Sequence, residues 1–489
     1  MNKLLKSLGI DYLLVNCTNK YLVEYPTLSE NARYTLTGFS GSTGDALVTA
    51  DKIYLFVDGR YHVQADLEAK DNITVVKLQL GQKQDDEIRK LIDKNKILGI
   101  VATKVSQARL EGFEGFKIKL LQEDPINNFT ENHITEYAKA FNPVDFNTEA
   151  AFITNLEEVS YLTGLRDFSN DNSSKIWAKL FIDGKERKLF TNDNEYDEFL
   201  SNYENEIIVD KTSINAHDYS LIKYPVHKNS KIKLLKSVKT EEELEAYKKA
   251  FERTDMAVNS IREYIENNED LSEYDIEKHL REEFIKYGAK SLSFNSIVAI
   301  NQNSAQAHYS KSSKEIKLKD GDLVLIDCGA YYESGLATDI TRVFVKGKPN
   351  ELQRKVYTTV LKAFLSCFNS NFSTGIEFDT HAHSMLDNAI DGFTFNHGLG
   401  HGIGINVHEA PPNLSQNKIA ETEIKNGMCF TIEPGLYNPK YFGIRLENSC
   451  YKKDWKIHSF VKMGYESKLI DYSMLNENEN TWLSEFMVL

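Results

Sequence analysis

Two aspartates set the first chemical possibility. Asp322-Leu323-Val324-Leu325-Ile326-Asp327-Cys328 reads as a buried strand ending in a carboxylate, and a turn around Glu333-Ser334-Gly335 returns the chain through Ala337-Thr338-Asp339-Ile340 into a second apolar run. A hairpin of this kind brings Asp327 and Asp339 together among apolar neighbours. Two buried carboxylates without partners cost several kcal/mol or are forced to protonate. A shared metal removes that repulsion. Downstream, Asn396-His397-Gly398-Leu399-Gly400-His401-Gly402-Ile403-Gly404-Ile405-Asn406-Val407-His408-Glu409 sets three histidines among four glycines. Glycine at this density disfavours a helix, so the helical HExxH arrangement is excluded, and no HExxH occurs in the chain. Glu433 follows where a strand meets a Pro-Gly turn, and Arg445 and Glu447, two residues apart, are expected on one face of one strand. Four carboxylates and one imidazole form a hard-oxygen set with a single nitrogen, suited to two divalent ions of the manganese, cobalt or zinc kind. Such a pair supplies both a Lewis acid and an activated water for hydrolysis.

The elements that must hold these groups lie in a chain of 489 residues, long enough for roughly two to four domains. Hydrophobic residues at 41% and charged residues at 27% are the composition of a globular protein. A net charge of −14 gives no long-range attraction for phosphate backbones or anionic lipid, so neither a nucleic acid nor a membrane is an expected partner. The five cysteines, Cys17, Cys328, Cys367, Cys429 and Cys450, include no CxxC pair, which argues against both a disulfide framework and a zinc knuckle. The opening MNKLLKSLGIDYLLV carries an apolar run too short for a signal peptide, and no stretch approaches the ~20 apolar residues that span a bilayer. A soluble protein of a reducing, cytoplasmic compartment is expected.

A weak repeat organises the front half. Tyr12-Leu13-Leu14-Val15 leads to Leu36-Thr37-Gly38 and then to two apolar segments at 46–49 and 53–57. Ala151-Phe152-Ile153 leads to Leu162-Thr163-Gly164 and then to 178–183 and 188–191. Both copies read strand, short helix, Leu-Thr-Gly turn, hairpin. From about residue 235 the character changes. Thr240 is an N-cap with Glu243 at the capping-box position for a helix through Tyr264, and further helices are expected over 274–287, 352–368 and 379–390. His381 and His383 fall in the last of these with nothing around them to bind and are expected at the surface.

Asp327 and Asp339, HGLGHGIG from His397, FTIEPG around Glu433 and GIRLEN around Glu447 together resemble the pita-bread metallopeptidases, most closely the Xaa-Pro aminopeptidase (aminopeptidase P) family. LTGFSGSTG (36–44) and VDGRYHVQA (57–65) resemble that group's creatinase-like N-terminal domain. The resemblance implies a multidomain α/β and α+β chain of the three-domain type. Two creatinase-like α/β modules, 1–128 and 129–234, would precede a pita-bread α+β catalytic domain over 235–489. Carried over by position, it implies that Asp327 chelates one metal and His401 and Glu433 the other, while Asp339 and Glu447 bridge both. His308 would be a substrate-pocket histidine, His397 and His408 would contact substrate and the reacting carbonyl, and Arg445 would support the site. It further implies two divalent ions, Mn²⁺ foremost with Co²⁺ or Zn²⁺ as alternatives, peptide substrates with proline at position two, and a homodimer. Two departures stand out. The aspartates lie twelve apart where many members have eleven, and the short tail after Trp482-Leu483 puts in doubt any dimer contact made by a longer one.

The nearest rival is a prolidase, which uses the same ligands on dipeptides but commonly carries a bulky residue where this chain has Gly402. Methionine aminopeptidases lack the front modules, and creatinase works without metal. A non-enzymatic binding protein on the same fold would have lost its ligands, and all five positions are filled here.

Overall fold

In the computed structural model, residues 1–79, 81–127, 137–309 and 311–487 are described. Both Leu-Thr-Gly segments end short helices. Ala32–Thr37 stops at Gly38 with φ 81°, and Leu156–Thr163 stops at Gly164 with φ 70°. Left-handed backbone at a helix C-terminus is strained for any residue with a Cβ, which is why glycine stands at both places. Asparagine starts both helices: Asn31 accepts the Tyr34 N–H and Asn155 the Glu158 N–H.

The repeat extends to sheet topology. In the first copy the strand Tyr12–Val15 pairs antiparallel with Ala46–Val48 on one side and parallel with Ile97–Val101 on the other. In the second, Thr148–Ile153 pairs antiparallel with Lys179–Gly184 and parallel with Ile207–Val209. Each parallel neighbour then takes a further parallel strand, Lys117–Leu121 and Pro225–His227. The first sheet is completed to six strands by Ile53–Val57 and Ile73–Lys77, the second to five by Glu186–Phe190. The expected boundary at 128/129 lies outside the described residues.

The chain forms two compact units. One holds Met1–Thr135, Pro143–Gly164 and Ile176–Lys231, and so contains both front sheets; the other holds Glu136–Asn142, Leu165–Lys175 and Ile232–Leu489. The second unit is built on a six-stranded antiparallel sheet running Ile297–Ile300, Leu323–Cys328, Ile340–Val345, Glu447–Lys453, with Cys429–Ile432 and Lys456–Ser459 both paired to the last. Leu323, Leu325, Val343 and Val345 share one core with Val356, Leu361 and Phe364 of the helix Glu351–Phe368 and Phe378 of Gly375–Leu386. Alternate residues of a strand face the same way, so Asp327 and Thr341 continue the row of residues that faces these helices.

Three of the four expected helices in this unit keep their bounds within a few residues: Glu241–Asn267, Glu273–Lys286 and Glu351–Phe368. The fourth begins four residues earlier, at Gly375, because Thr374 and Glu377 form a capping box, and it ends at Leu386 ahead of Asn388 with φ 61°. The Thr240–Glu243 capping box is formed, with Glu243 N–H to Thr240 Oγ1 at 3.2 Å and Thr240 N–H to Glu243 Oε2 at 2.8 Å. Replacing Thr240 by Ala leaves the helix start without its side-chain acceptor and is expected to cost about 1 kcal/mol. A lower urea midpoint with an unchanged slope would report it, and an unchanged midpoint would contradict it.

Candidate metal centre and active site

Strand register assembles the acidic group. Asp327 lies opposite Thr341, and Thr341 lies opposite Glu447, so three neighbouring strands contribute one row of side chains. Asp339 stands two residues before Thr341 on the same face. Glu433 directly follows the strand Cys429–Ile432, whose Ile432 pairs with Asn448. Thr341 Oγ1 donates to Glu447 Oε2 at 2.8 Å, and Arg445 Nη2 donates to Asp327 Oδ2 at 2.6 Å. His401 Nε2 lies 3.6 Å from both Asp339 Oδ2 and Glu433 Oε1. Ligand atoms of Asp339, His401 and Glu447 all lie within 4.8 Å of one another.

The hydrogen bonds fix how His401 presents itself. Its Nδ1 faces the Gly402 carbonyl at 3.1 Å, and a carbonyl only accepts, so Nδ1 carries the proton. In the neutral ring Nε2 therefore turns a lone pair toward two carboxylates. Asp327 Oδ1, Asp339 Oδ1 and Glu447 Oε1 are buried without a hydrogen-bond partner. Burial, followed by the Glu447, Asp327 and Glu433 charges, pushes Asp339 well above the usual carboxylate range. Burial and then Asp327 push Glu447 up to about 8, against the pull of Thr341 and Arg445. Converging lone pairs of three carboxylates and an imidazole are repulsive among themselves and fit a divalent cation between them.

The glycines of the histidine segment wrap a buried ion cluster. Glu409 is paired with Lys239 Nζ at 2.9 Å and Lys236 Nζ at 3.2 Å, all three side chains being at most 3% exposed. Its Oε2 also accepts the Ile405 N–H at 2.8 Å. A Cβ on Gly404 would lie 2.0 Å from Glu409 Oε1, and one on Gly402 would lie 2.2 Å from the Glu409 carbonyl oxygen. With the two lysines beside it, Glu409 is held down to about 2 despite burial. Gly402 is thus required by the loop's own packing.

Other expected site residues are placed as follows. His408 stacks edge-on against His401 with ring centroids 4.5 Å apart. Tyr437, overlooked in the sequence, links two of them: its hydroxyl lies 2.8 Å from His397 Nε2 and accepts from Arg445 Nη1 at 2.8 Å. His397 Nδ1 donates to the Gly398 carbonyl, so the Tyr437 hydroxyl donates to Nε2. Thr341 was also overlooked, although its position two beyond Asp339 puts it on the same face. Arg445 and Glu447 do not share one strand of one sheet. Gly443–Arg445 pairs with Gly435–Tyr437, while Glu447 opens the next strand, and the two side chains meet at Thr341, to which Arg445 Nε donates at 3.2 Å. The His308 segment is held by Ser304, whose Oγ accepts the Gly443 N–H at 2.8 Å, on the strand that carries Arg445. His381 and His383 are only half-exposed and do have partners. His381 Nε2 meets Ser366 Oγ at 2.7 Å, and His383 packs on Phe395 and bonds Asp387.

Residues 245–453 match metallopeptidase family M24, and residues 1–121 match the creatinase/prolidase N-terminal domain. Over 99% of its length the chain is 26% identical to "Probable Xaa-Pro aminopeptidase P" of Coprinopsis cinerea, covering 93% of that protein. It is likewise 26% identical to "Xaa-Pro aminopeptidase 1" of Dictyostelium discoideum, covering 90% of it. The fold is also that of an X-prolyl aminopeptidase from Caenorhabditis elegans, described as a cytosolic enzyme with a di-nuclear active site. That match has a TM-score of 0.87 at 21% identity, over 98% of this chain and 90% of that one.

The raised carboxyl groups set a pH dependence for metal-stripped protein. An unfolded glutamate loses its proton near 4.5, whereas folded Glu447 holds it to about 8. The protonated carboxyl therefore stabilises the fold below the unfolded value, and that contribution is lost as pH rises toward about 8. Metal-stripped protein is expected to melt at progressively lower temperature across this window, with a divalent cation restoring the melting point most at the alkaline end. A flat melting curve from acid to pH 8 would contradict it.

Proposed function

We infer that this chain, a metal-dependent peptidase whose residues 245–453 belong to metallopeptidase family M24, is an Xaa-Pro aminopeptidase: it hydrolyses the bond between an N-terminal residue and a penultimate proline. The observation that carries this is the grouping of Asp327, Asp339, His401, Glu433 and Glu447 around orphaned carboxylate oxygens, together with full-length likeness to relatives bearing that name. Two divalent ions, Mn²⁺ foremost, are proposed, with Asp327 on one, His401 and Glu433 on the other, and Asp339 and Glu447 shared. When bound, such a pair supplies Lewis-acid activation of the scissile carbonyl and a water acidic enough to attack at neutral pH. A cytosolic homodimer and the division into modules 1–128, 129–234 and 235–489 are part of the same proposal. The separate front sheets support that division.

The chain's own residues do the remaining work. Arg445 fixes the Asp327 carboxylate and, through Tyr437, the His397 ring, so one guanidinium sets two groups. Thr341 holds one oxygen of Glu447 and leaves the other directed to the centre. His308, His397 and His408 are proposed to bind substrate and to stabilise or protonate the reacting groups. Proline at position two gives a tertiary amide with no N–H and a fixed φ, a rigid shape that a preformed pocket recognises without ordering a flexible side chain. Carboxylates in the site favour a protonated amino terminus.

The deciding assay is incubation with Mn²⁺ and Xaa-Pro-Yaa peptides, followed by mass measurement of the products. Release of the first residue alone is expected, suppressed by acetylation of the amino terminus. Confinement to Xaa-Pro dipeptides would make the enzyme a prolidase, and equal rates with alanine at position two would overturn both.

Glu433→Ala and His401→Ala are expected to abolish turnover with the fold intact. More than a few per cent of wild-type kcat with unchanged metal content would refute the ligand assignment. His308→Ala and His408→Ala are expected to retain metal and lose kcat/KM by about 10²-fold, the scale of one lost proton-transfer or electrostatic partner. Loss of bound metal from either variant would make that histidine a ligand.

A further inference from the structure

A second group of metal-binding character lies outside the catalytic set. Asp197, on the helix Asp193–Asn202, and His217 and Asp218, on Ala216–Leu221, each offer a ligand atom within 4.8 Å of the others. His217 Nε2 is 3.4 Å from Asp197 Oδ2, and its Nδ1 is 3.1 Å from Gln122 Oε1. With Nδ1 donating to that amide oxygen, the neutral ring presents its Nε2 lone pair to the carboxylate, a contact that a proton or a metal cation between them makes favourable.

Asp218 supplies the independent observation. It is fully buried, and only its Oδ2 is satisfied, by Lys179, while Oδ1 has no hydrogen-bond partner. The Lys179 ammonium lies over the Tyr196 ring at 3.8 Å, which holds it on that side of the carboxylate. Asp197 Oδ1 is also buried and unsatisfied. Two orphaned carboxylate oxygens beside an oriented imidazole are costly without a ligand and complementary to one with positive charge.

We propose that Asp197, His217 and Asp218 bind a divalent cation of the zinc class, tying the helices Asp193–Asn202 and Ala216–Leu221 of the second front module together. One nitrogen and two oxygens suit zinc, whereas calcium takes six or more oxygens. Tetrahedral zinc with bonds of about 2.0–2.1 Å needs ligand atoms roughly 3.4 Å apart, the spacing His217 Nε2 and Asp197 Oδ2 already have, so the remaining pairs close by no more than about 1.4 Å. Asp197, with its side chain 36% exposed, has room to turn inward. Two aspartates and Lys179 sum to −1, and the cation reverses that sign.

The test compares zinc content, by elemental analysis after equilibration with Zn²⁺ and desalting, in the full chain and in Asp197→Asn and His217→Gln. Each variant is expected to hold one equivalent less than wild type and to lose part of the zinc-dependent rise in melting temperature, with peptidase activity unchanged. With Co²⁺ as the probe, wild type is expected to show the intense visible absorption of a four-coordinate site in excess of whatever the catalytic centre contributes, and both variants are expected to lack that excess. Asp197→Asn is isosteric at a part-exposed position, so a folding defect does not stand in the way of reading it. Equal zinc content in wild type and both variants overturns the proposal. Because the readout is metal at this group and not turnover, the result is independent of the peptidase reading.

Discussion

The carboxylates of Asp327, Asp339, Glu433 and Glu447 repel one another where little water remains to screen them, and the surrounding residues answer that repulsion. Arg445 neutralises part of it from beneath, and Thr341 takes one oxygen of Glu447. What the protein leaves without a hydrogen-bond partner is one oxygen on each of Asp327, Asp339 and Glu447. Filling every lone pair from the protein would leave nothing for a cation; leaving more than these would favour protonation of the whole group. The sheet makes this balance possible, since its register sets Asp327, Thr341 and Glu447 in one line across three strands.

The histidines are positioned by a different device. The segment from His397 to Glu409 has little regular structure of its own beyond the pair Gly400–His401 against Asn413–Leu414. It is held instead by close backbone approach. A Cβ on Gly400 would lie 2.1 Å from the Thr431 carbonyl oxygen, just as those on Gly402 and Gly404 would strike Glu409. The loop is therefore locked between a core strand and a buried ion cluster, and His401 and His408 inherit that rigidity. Removing the Glu409 charge would take from two buried ammonium groups the carboxylate they share, the costly half of any buried ion pair.

Much of this was legible in the residues. The Thr240–Glu243 capping box, the Leu-Thr-Gly helix ends and the hairpin that joins the two aspartates follow from local rules of spacing and turn chemistry. So does the grouping of ligand types. The partnership of Tyr437 with His397 and Arg445 was not legible, because it depends on a separate two-stranded sheet formed by Gly435–Tyr437 and Gly443–Arg445. Glu409 shows the limit differently. Its neighbour His408 drew attention as a chemical group, yet the reason for the glycines lay in Lys236 and Lys239, some 170 residues away. The start of the helix at Gly375 was hidden because glycine at a first helical position disguises the apolar period that follows.

The chain path has a consequence for the order in which the protein can be completed during synthesis. The catalytic unit is not a continuous stretch, for it includes Leu165–Lys175. Arg166 donates to the Ser334 carbonyl, Ser174 to the Gly335 carbonyl, and Lys175 to Asn406, 231 residues later. A ribosome adding roughly 5–20 residues per second needs on the order of 10–50 s to reach that partner. For that interval the front sheets can form while the loop 165–175, which joins the helix Leu156–Thr163 to the strand Lys179–Gly184 within the second of them, waits with its cations still hydrated. Closing the unit is therefore a late event, set by translation time as much as by the intrinsic folding rate of the sheet.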